Sequence, residues 1–242
     1  MESKRFVFKK IYVVDGEEKK FPLEVVIHSN KSGVIIINYP GFGGHIDGYM
    51  EKHQKIANML SEKNIGAVVR IANNVYRGTD YKKTLLDDLR FITNYTLENS
   101  EEICGKQDPI IYMIGTSAGG SAVAVVAPEF SQVQRILLIA PSGDAGMENV
   151  EQGLKEYEGE IYIAIGLEDE VVGWKNASWY LEKAIRAKKK EMELIPNCDH
   201  HFAGIENGKI LAKASLWAFD GEKTFPSPEG GLNLFKEPVS LS

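Results

Sequence analysis

The strongest chemical signal in the sequence is a serine placed between two glycines. An apolar run at residues 110–114 leads directly into Gly115-Thr116-Ser117-Ala118-Gly119, and small residues follow at 121–127. A serine on a sharp turn between a strand and a helix needs neighbours without a Cβ two positions before and after it. The N–H of Ala118 and the start of the helix then favour negative charge on a reacting carbonyl oxygen. Ser117 is therefore a candidate nucleophile for acyl transfer.

A nucleophilic serine needs a histidine and an acid as partners. Both residue types occur after later apolar runs. Three consecutive acids at residues 168–170 follow the run at 161–165, and two consecutive histidines at 200–201 follow the run at 191–195. A serine hydroxyl becomes a nucleophile when an imidazole accepts its proton and a carboxylate holds that imidazole in the correct tautomer. These residue types leave open which acid and which histidine would serve.

Other binding motifs are weaker. A glycine-rich loop between a strand and a helix also binds phosphate groups, and Gly41 and Gly43 begin a Gly-x-Gly pattern of the dinucleotide type. The third glycine position of that pattern is Ile46, and no acidic residue stands at the expected strand end. The five histidines do not show the spacing of a metal site. We therefore expect no cofactor and no metal ion.

Eight strand-like segments would position these residues. They are residues 6–14, 23–28, 33–38, 67–71, 110–114, 135–139, 161–165 and 191–195. The middle segments are apolar on both faces, which is typical of parallel strands covered by helices above and below. The first two flank the turn dipeptide Asp15-Gly16, so we expect them to form an antiparallel pair at one edge of the sheet.

Apolar residues at helical spacing separate the strand-like segments. Four predicted helices cover about 48–64, 80–98, 121–127 and 147–158. Two more helices are predicted from apolar residues at helical spacing. The first is marked by Trp179, Leu181, Ala184 and Ile185, and the second by Ile210, Ala214 and Trp217. Strands and helices alternating in this way predict one α/β domain over residues 1–242, with a mostly parallel, doubly wound sheet. Residues 221–242, rich in proline and glycine, are expected to form an extended arm.

The composition is that of a soluble globular protein. The 242 residues are 43% hydrophobic and 26% charged, with a formal net charge of −6, and this length suffices for a large core. The negative charge argues against a nucleic-acid partner, and the longest apolar runs are shorter than the roughly 20 residues of a membrane helix. Two cysteines and no apolar segment near the first residues favour a cytoplasmic location. No pattern indicates an oligomeric state.

The chain order of serine, acid and histidine, each at the end of its own strand, resembles that of the α/β-hydrolase family. The resemblance extends over about residues 6–220. It implies the α/β-hydrolase fold, with an eight-stranded, mostly parallel sheet and helices on both faces. It also implies Ser117 as nucleophile, an acid after the seventh strand and a histidine after the eighth.

The family pattern also bears on the open choices among acids and histidines. A glycine, two variable residues and an aspartate match Gly166-Leu167-Glu168-Asp169, which implies Asp169 as the acid and leaves Glu168 and Glu170 as solvated loop residues. A histidine after an aspartate, with an aromatic residue nearby, matches Asp199-His200 before Phe202. This favours His200 as the base, with His201 as the alternative.

The resemblance also bears on two further loops of the chain. In the family, the loop after the third strand supplies an oxyanion donor beside the N–H of Ala118, and here Pro40-Gly41-Phe42-Gly43-Gly44 implies the N–H of Phe42. Pro40 stands where the family often has a histidine, so the resemblance does not say how this loop is braced. Lid domains usually follow the sixth strand, but residues 140–160 hold little beyond one helix. We therefore expect an open cleft without a lid.

These observations favour a serine-dependent hydrolase that cleaves small carboxylic esters of short acyl chains through an acyl-enzyme on Ser117. Its expected partner is the small-molecule ester, with neither a nucleic acid nor a membrane. Because the fold hosts many activities, a small peptidase or thioesterase with the same triad is an alternative. A non-catalytic binding protein of the same fold is another, although a degraded triad would be expected for it.

Overall fold

Eight strands, in the chain order of the predicted segments, form one sheet in the computed structural model, which describes residues 3–221 and Phe225. They are β1 (Ser3–Val14), β2 (Glu17–His28), β3 (Val34–Tyr39), β4 (Ala67–Ile71), β5 (Ile110–Thr116), β6 (Val133–Ile139), β7 (Glu160–Gly166) and β8 (Lys189–Ile195). Their order in the sheet is β1-β2-β4-β3-β5-β6-β7-β8. β2 is antiparallel to β1 and β4, and the other neighbouring pairs are parallel. The predicted antiparallel pair at one edge is confirmed.

Seven α-helices of the described residues connect the strands. They are α1 (Lys52–Glu62), α2 (Tyr81–Glu98), α3 (Ser100–Cys104), α4 (Ala118–Val126), α5 (Met147–Glu156), α6 (Trp174–Lys183) and α7 (Ile205–Phe219). The short helix α3 has no counterpart among the predicted helices. It is too brief for a periodic pattern, and it ends where Gly105 turns left-handed at φ 79°.

Several helix boundaries differ from the prediction by a few residues, and in two of them the backbone shows the cause. α1 begins at Lys52 and not near Gly48, because Met50 and Glu51 adopt left-handed backbone angles (φ 51° and 60°) and separate a short 3₁₀ turn from the helix. α6 ends at Lys183, since Ala184 leaves the helical region with ψ 63°. Ile185 is consequently 71% exposed, and its assignment to the apolar face of that helix was wrong.

The central strands of the sheet are buried on both faces, which explains why their sequences are apolar on both faces. Ile35, Ile36 and Ile37 of β3 and Met113 of β5 are fully buried, because helices cover the sheet on either side. The small residues of α4 allow this helix to lie directly against the carboxyl ends of β3 and β5. The resulting close packing brings the start of α4 beside the loop that follows β3.

Phe225, the last described residue of the chain, packs on α7. Of the predicted arm at 221–242, only Gly221 and Phe225 belong to the described residues, and the rest of that prediction lies outside them. The ring of Phe225 is buried against Trp217 at 5.0 Å between centroids. None of the described helices has the length and apolar character needed to cross a membrane.

Candidate active site

The predicted serine, acid and histidine meet at one edge of the sheet. Ser117 directly follows β5, Asp169 lies in the loop after β7, and His200 lies in the loop after β8. Because β5, β6, β7 and β8 are parallel, their carboxyl ends and the loops that follow them open on the same side. Residues separated by more than 80 positions in the chain therefore become neighbours.

Ser117 occupies a strained turn between β5 and α4. Its φ of 50° and ψ of −116° lie in a region that residues with a Cβ rarely adopt. Backbone hydrogen bonds hold it there, with its N–H donating to the carbonyl of Ile139 at 2.8 Å. A Cβ at Gly115 would lie 2.5 Å from the carbonyl oxygen of Gly119, and one at Gly119 would lie 2.2 Å from that of Tyr39. Both positions therefore require glycine.

A chain of hydrogen bonds joins the three side chains. His200 Nε2 lies 3.1 Å from Ser117 Oγ, and His200 Nδ1 lies 2.8 Å from Asp169 Oδ2. The other carboxylate oxygen of Asp169 accepts the N–H groups of Val171 at 3.0 Å and Val172 at 2.8 Å. Burial on its own raises the pKa of Asp169, but the N–H of Val172, the hydrogen bond and charge of His200 and the N–H of Val171 together hold this pKa below its ordinary value. Asp169 is thus kept ionised beside the imidazole.

The neighbouring acids and histidine do not enter this chain. His201 is exposed, and its backbone N–H donates to the Asp199 carboxylate at 3.1 Å. Glu168 is also exposed, but its carboxylate accepts the N–H of Asn197 at 3.1 Å and so links the acid loop to the histidine loop. Glu170 is exposed. The structure therefore brings Ser117 together with Asp169 and His200 and leaves the three alternatives outside.

Both predicted oxyanion donors lie beside the serine. Ala118 is the first residue of α4, and the loop containing Phe42 approaches so closely that a Cβ on Gly41 would lie 3.2 Å from Ser117 Cβ. Within the described residues, no hydrogen bond engages the backbone N–H of Phe42 or of Ala118. Both backbone N–H groups are therefore without an acceptor among the described residues near Ser117.

Asn73 braces the loop after β3, and the sequence reasoning missed it. Its buried Nδ2 donates to the carbonyl oxygens of Pro40 at 3.1 Å and Gly41 at 3.0 Å, and the Tyr81 hydroxyl lies 3.0 Å from the same nitrogen. The Tyr81 ring in turn contacts the ring of Phe42 edge-on at 4.7 Å. A polar residue just past the carboxyl end of β4 was the available signal, but the two carbonyl groups that it binds are more than 30 positions away.

Arg70 holds the next part of the same loop. Its Nη1 donates to the carbonyl of Ile46 at 3.0 Å and to Asp47 at 2.6 Å, and its Nε donates to His28 Nε2 at 3.2 Å. Burial and the Arg70 charge lower the pKa of His28 to about 4, so its neutral ring can accept that hydrogen bond. An arginine within the otherwise apolar β4 was the signal in the sequence.

The three side chains lie in an open cleft of about 710 Å³. Its rim includes Phe42 and Val171, which are 62% and 69% exposed, and its walls include Ser142 and Asn176. Of regular structure, only α5 lies between β6 and β7. No cluster of three His, Cys, Asp or Glu side chains that could hold a metal ion occurs in the described part of the chain.

The comparisons with known proteins concern the fold. No protein-family model matches the sequence, and no curated protein matches it significantly. Solved structures do match: an esterase domain from Rhodothermus marinus (16% identity, TM-score 0.65, 90% of this chain and 99% of that one) and a dienelactone hydrolase from Anabaena variabilis (16%, 0.66, 90% and 98%). Est1E from Butyrivibrio proteoclasticus matches at 17% identity and a TM-score of 0.61, over 85% and 95% of the two chains.

These structural relatives confirm the predicted fold. They have the α/β-hydrolase fold, and this chain has it too, with the predicted eight-stranded, mostly parallel sheet. Identities of 16–17% support the architecture and do not by themselves transfer an activity. The function must be argued from the geometry of the site.

Proposed function

We propose that this protein is a serine hydrolase that cleaves carboxylic esters of short acyl chains. One observation carries the proposal, namely the hydrogen-bonded series Ser117–His200–Asp169, with 3.1 and 2.8 Å between the joined atoms. Ser117 lies on a strained turn, and the three side chains line an open cleft. Esterases and a dienelactone hydrolase among the structural relatives agree with this class of reaction.

The geometry supports a two-step reaction. Ser117 Oγ attacks the acyl carbon while His200 Nε2 accepts its proton, and Asp169 stabilises the resulting imidazolium through Nδ1–H. The carbonyl oxygen, now negatively charged, accepts hydrogen bonds from the N–H groups of Phe42 and Ala118. Each such donor typically stabilises the transition state by about 2.7–4 kcal/mol.

The alcohol departs with the proton that His200 received, leaving an acyl group on Ser117. A water molecule then attacks this ester while His200 accepts a proton from it, and the carboxylic acid leaves as Ser117 recovers its hydrogen. The reaction therefore needs only water as co-substrate. The cleft admits water freely because no regular element of the described chain roofs it.

A fluorophosphonate probe tests the proposal, because it phosphonylates activated serines. We expect the purified protein to be labelled and to hydrolyse p-nitrophenyl acetate and butyrate. Ser117→Ala should lose labelling and at least about three orders of magnitude in kcat/KM, since a missing triad member removes that much or more. The exposed Ser131 provides a matched control, and Ser131→Ala should behave as the unmodified protein does.

Two results would contradict the proposal. Full activity or labelling in a folded Ser117→Ala variant would exclude this serine as nucleophile. A protein that is neither labelled nor active on any ester, with an intact circular-dichroism spectrum, would favour the non-catalytic binding function.

A further inference from the structure

The active-site cleft continues into a second, apolar groove. This groove, of about 910 Å³, lies between α1 and the first turns of α7, and its lining includes Ile56, Phe202 and Leu211. Tyr49, Lys52 and His201 line both the groove and the cleft, so these three residues form the junction between them. A substrate that extends from Ser117 towards the groove must pass this junction.

Lys52 is the unusual member of the junction. It is half-buried, yet no hydrogen bond or ion pair with another described residue engages its ammonium group. The two other lysines of the groove are engaged: Lys55 donates to the Met50 carbonyl at 2.8 Å, and Lys209 pairs with Glu206 at 2.7 Å. Burial lowers the pKa of Lys52, as it does for an ammonium whose lost hydration is not replaced.

No carboxylate of the described residues pairs with the Lys52 ammonium, although Glu51 precedes it in the chain and Asp144 lines the same cleft. Lys52 is the first residue of α1, whose first turn contains no acidic side chain, and the positive end of the helix makes this an unfavourable position for a cation. Burial lowers the pKa of the adjacent His53 to about 4, so that ring is neutral near pH 7. Across the cleft, the Asp144 carboxylate accepts a hydrogen bond from the Ser142 hydroxyl.

We propose that Lys52 is a specificity-determining residue that binds a second, ionised carboxylate of the ester substrate. The substrate class would then be small esters with a free carboxylate a few carbons from the scissile bond. This inference rests on the proposed esterase function and specifies its substrate. A carboxylate at the junction would supply the partner that Lys52 lacks, whereas a neutral alkyl chain there would desolvate the ammonium without replacing its hydrogen bonds.

Matched pairs of substrates test this preference. Monoethyl adipate carries the carboxylate on the acyl side and is compared with ethyl hexanoate. The 4-acetoxybutanoate anion carries it on the alcohol side and is compared with butyl acetate. Each pair differs by a carboxylate in place of a methyl group, and the acid released is measured by titration at constant pH and low salt.

For at least one pair, we expect kcat/KM of the unmodified protein to favour the anionic ester about tenfold to hundredfold, the range for hydrogen bonds to charged groups. Lys52→Met keeps the length of the side chain and removes its charge, so the ratio of anionic to neutral kcat/KM should fall at least tenfold, mainly through KM. Lys52→Arg should restore most of the ratio. Sodium chloride should reduce the preference of the unmodified protein and have little effect on the ratio for Lys52→Met.

Lys63 provides the control, because it is exposed at the opposite end of α1. Lys63→Met should leave every ratio unchanged. The inference is overturned if neither pair shows a preference, or if Lys52→Met retains the preference. Hydrolysis of the neutral esters that still depends on Ser117 would then leave the proposed function intact. Loss of hydrolysis of all four esters and of p-nitrophenyl acetate would overturn the proposed function and this inference with it.

Discussion

Adjacent residues at the site have different functions because the backbone directs their side chains differently. His200 points into the cleft between Ser117 Oγ and Asp169, while the next residue, His201, is exposed at the junction with the apolar groove. Phe202 then adopts a φ of 55° and buries its side chain. Two consecutive residues thus have different positions, the proposed base inside the cleft and the next residue at its rim.

The two histidines should therefore respond very differently to substitution. We expect His200→Ala to lower kcat by about as much as Ser117→Ala does, because triad members act as one unit. His201→Ala should lower kcat/KM about tenfold or less, through disturbance of the loop. Steady-state kinetics on p-nitrophenyl butyrate measure both, and the opposite order of effects would assign the base to His201.

Burial lowers the reactivity of Cys198, which lies in the same loop as His200. Its side chain is fully buried, and desolvation together with nearby carboxylates raises the pKa of the thiol to about 12. The thiolate, which is the nucleophilic form, is therefore scarce at neutral pH. Cys198 is consequently a poor nucleophile, although it stands two positions before His200.

At the scale of elements, β4 supports the loop that β3 carries. β4 lies between β2 and β3 in the sheet, so Arg70 within it and Asn73 after it reach the loop at residues 40–47. The loop is thus held by the neighbouring strand in addition to its own backbone hydrogen bonds, such as Gly44 N–H to the Gly41 carbonyl at 2.9 Å.

Removing the Asn73 amide should therefore misplace the N–H of Phe42. We expect Asn73→Ala to lower kcat about tenfold to hundredfold with little change in KM, since a displaced oxyanion donor weakens binding of the transition state more than that of the substrate. Two carbonyl groups would lose their donor, so the free energy of unfolding should also fall, by about 1–3 kcal/mol.

Asn74→Ala is the matched control for this positioning residue. Asn74 donates to the Pro22 carbonyl at 3.3 Å, away from the cleft, and its substitution should leave kcat within twofold. Thermal unfolding of both variants separates loss of stability from loss of positioning. If Asn73→Ala raised KM alone, or if both variants lowered kcat equally, the positioning role would be refuted.

At the scale of the whole molecule, the cleft is open because the described residues form little beyond the core elements of the fold. β6 and β7 are connected through α5 alone, and apolar cover near Ser117 comes from exposed loop residues such as Phe42 and Val171. The larger apolar groove begins beyond Lys52. A neutral acyl chain therefore finds apolar contacts for its first few carbons only.

We expect kcat/KM for p-nitrophenyl esters to be highest at about two to four acyl carbons and to level off or fall beyond them. Each buried CH₂ contributes about 0.8 kcal/mol only where the protein covers it. Dispersed lipid should not activate the protein, because the described chain has no lid to displace. A series from acetate to decanoate measures this profile, and a steady rise to ten carbons would disprove the open-cleft prediction.

The sequence by itself determined the features that depend on local pattern. Apolar runs and helical spacing located all eight strands and most helices, and Gly115-Thr116-Ser117-Ala118-Gly119 marked the strained turn. The order of serine, acid and histidine at three strand ends indicated the fold. These features are local because side-chain periodicity and backbone conformation are set within a few residues.

Only the tertiary structure decided which side chains meet. It selected His200 over His201 and Asp169 over its neighbours, because hydrogen bonds at 2.8–3.1 Å depend on how loops from separate strands are oriented. It also placed Asn73 under the loop after β3 and left Lys52 without a partner among the described residues. Such contacts depend on strand order and packing between distant segments, which periodicity along the chain does not encode.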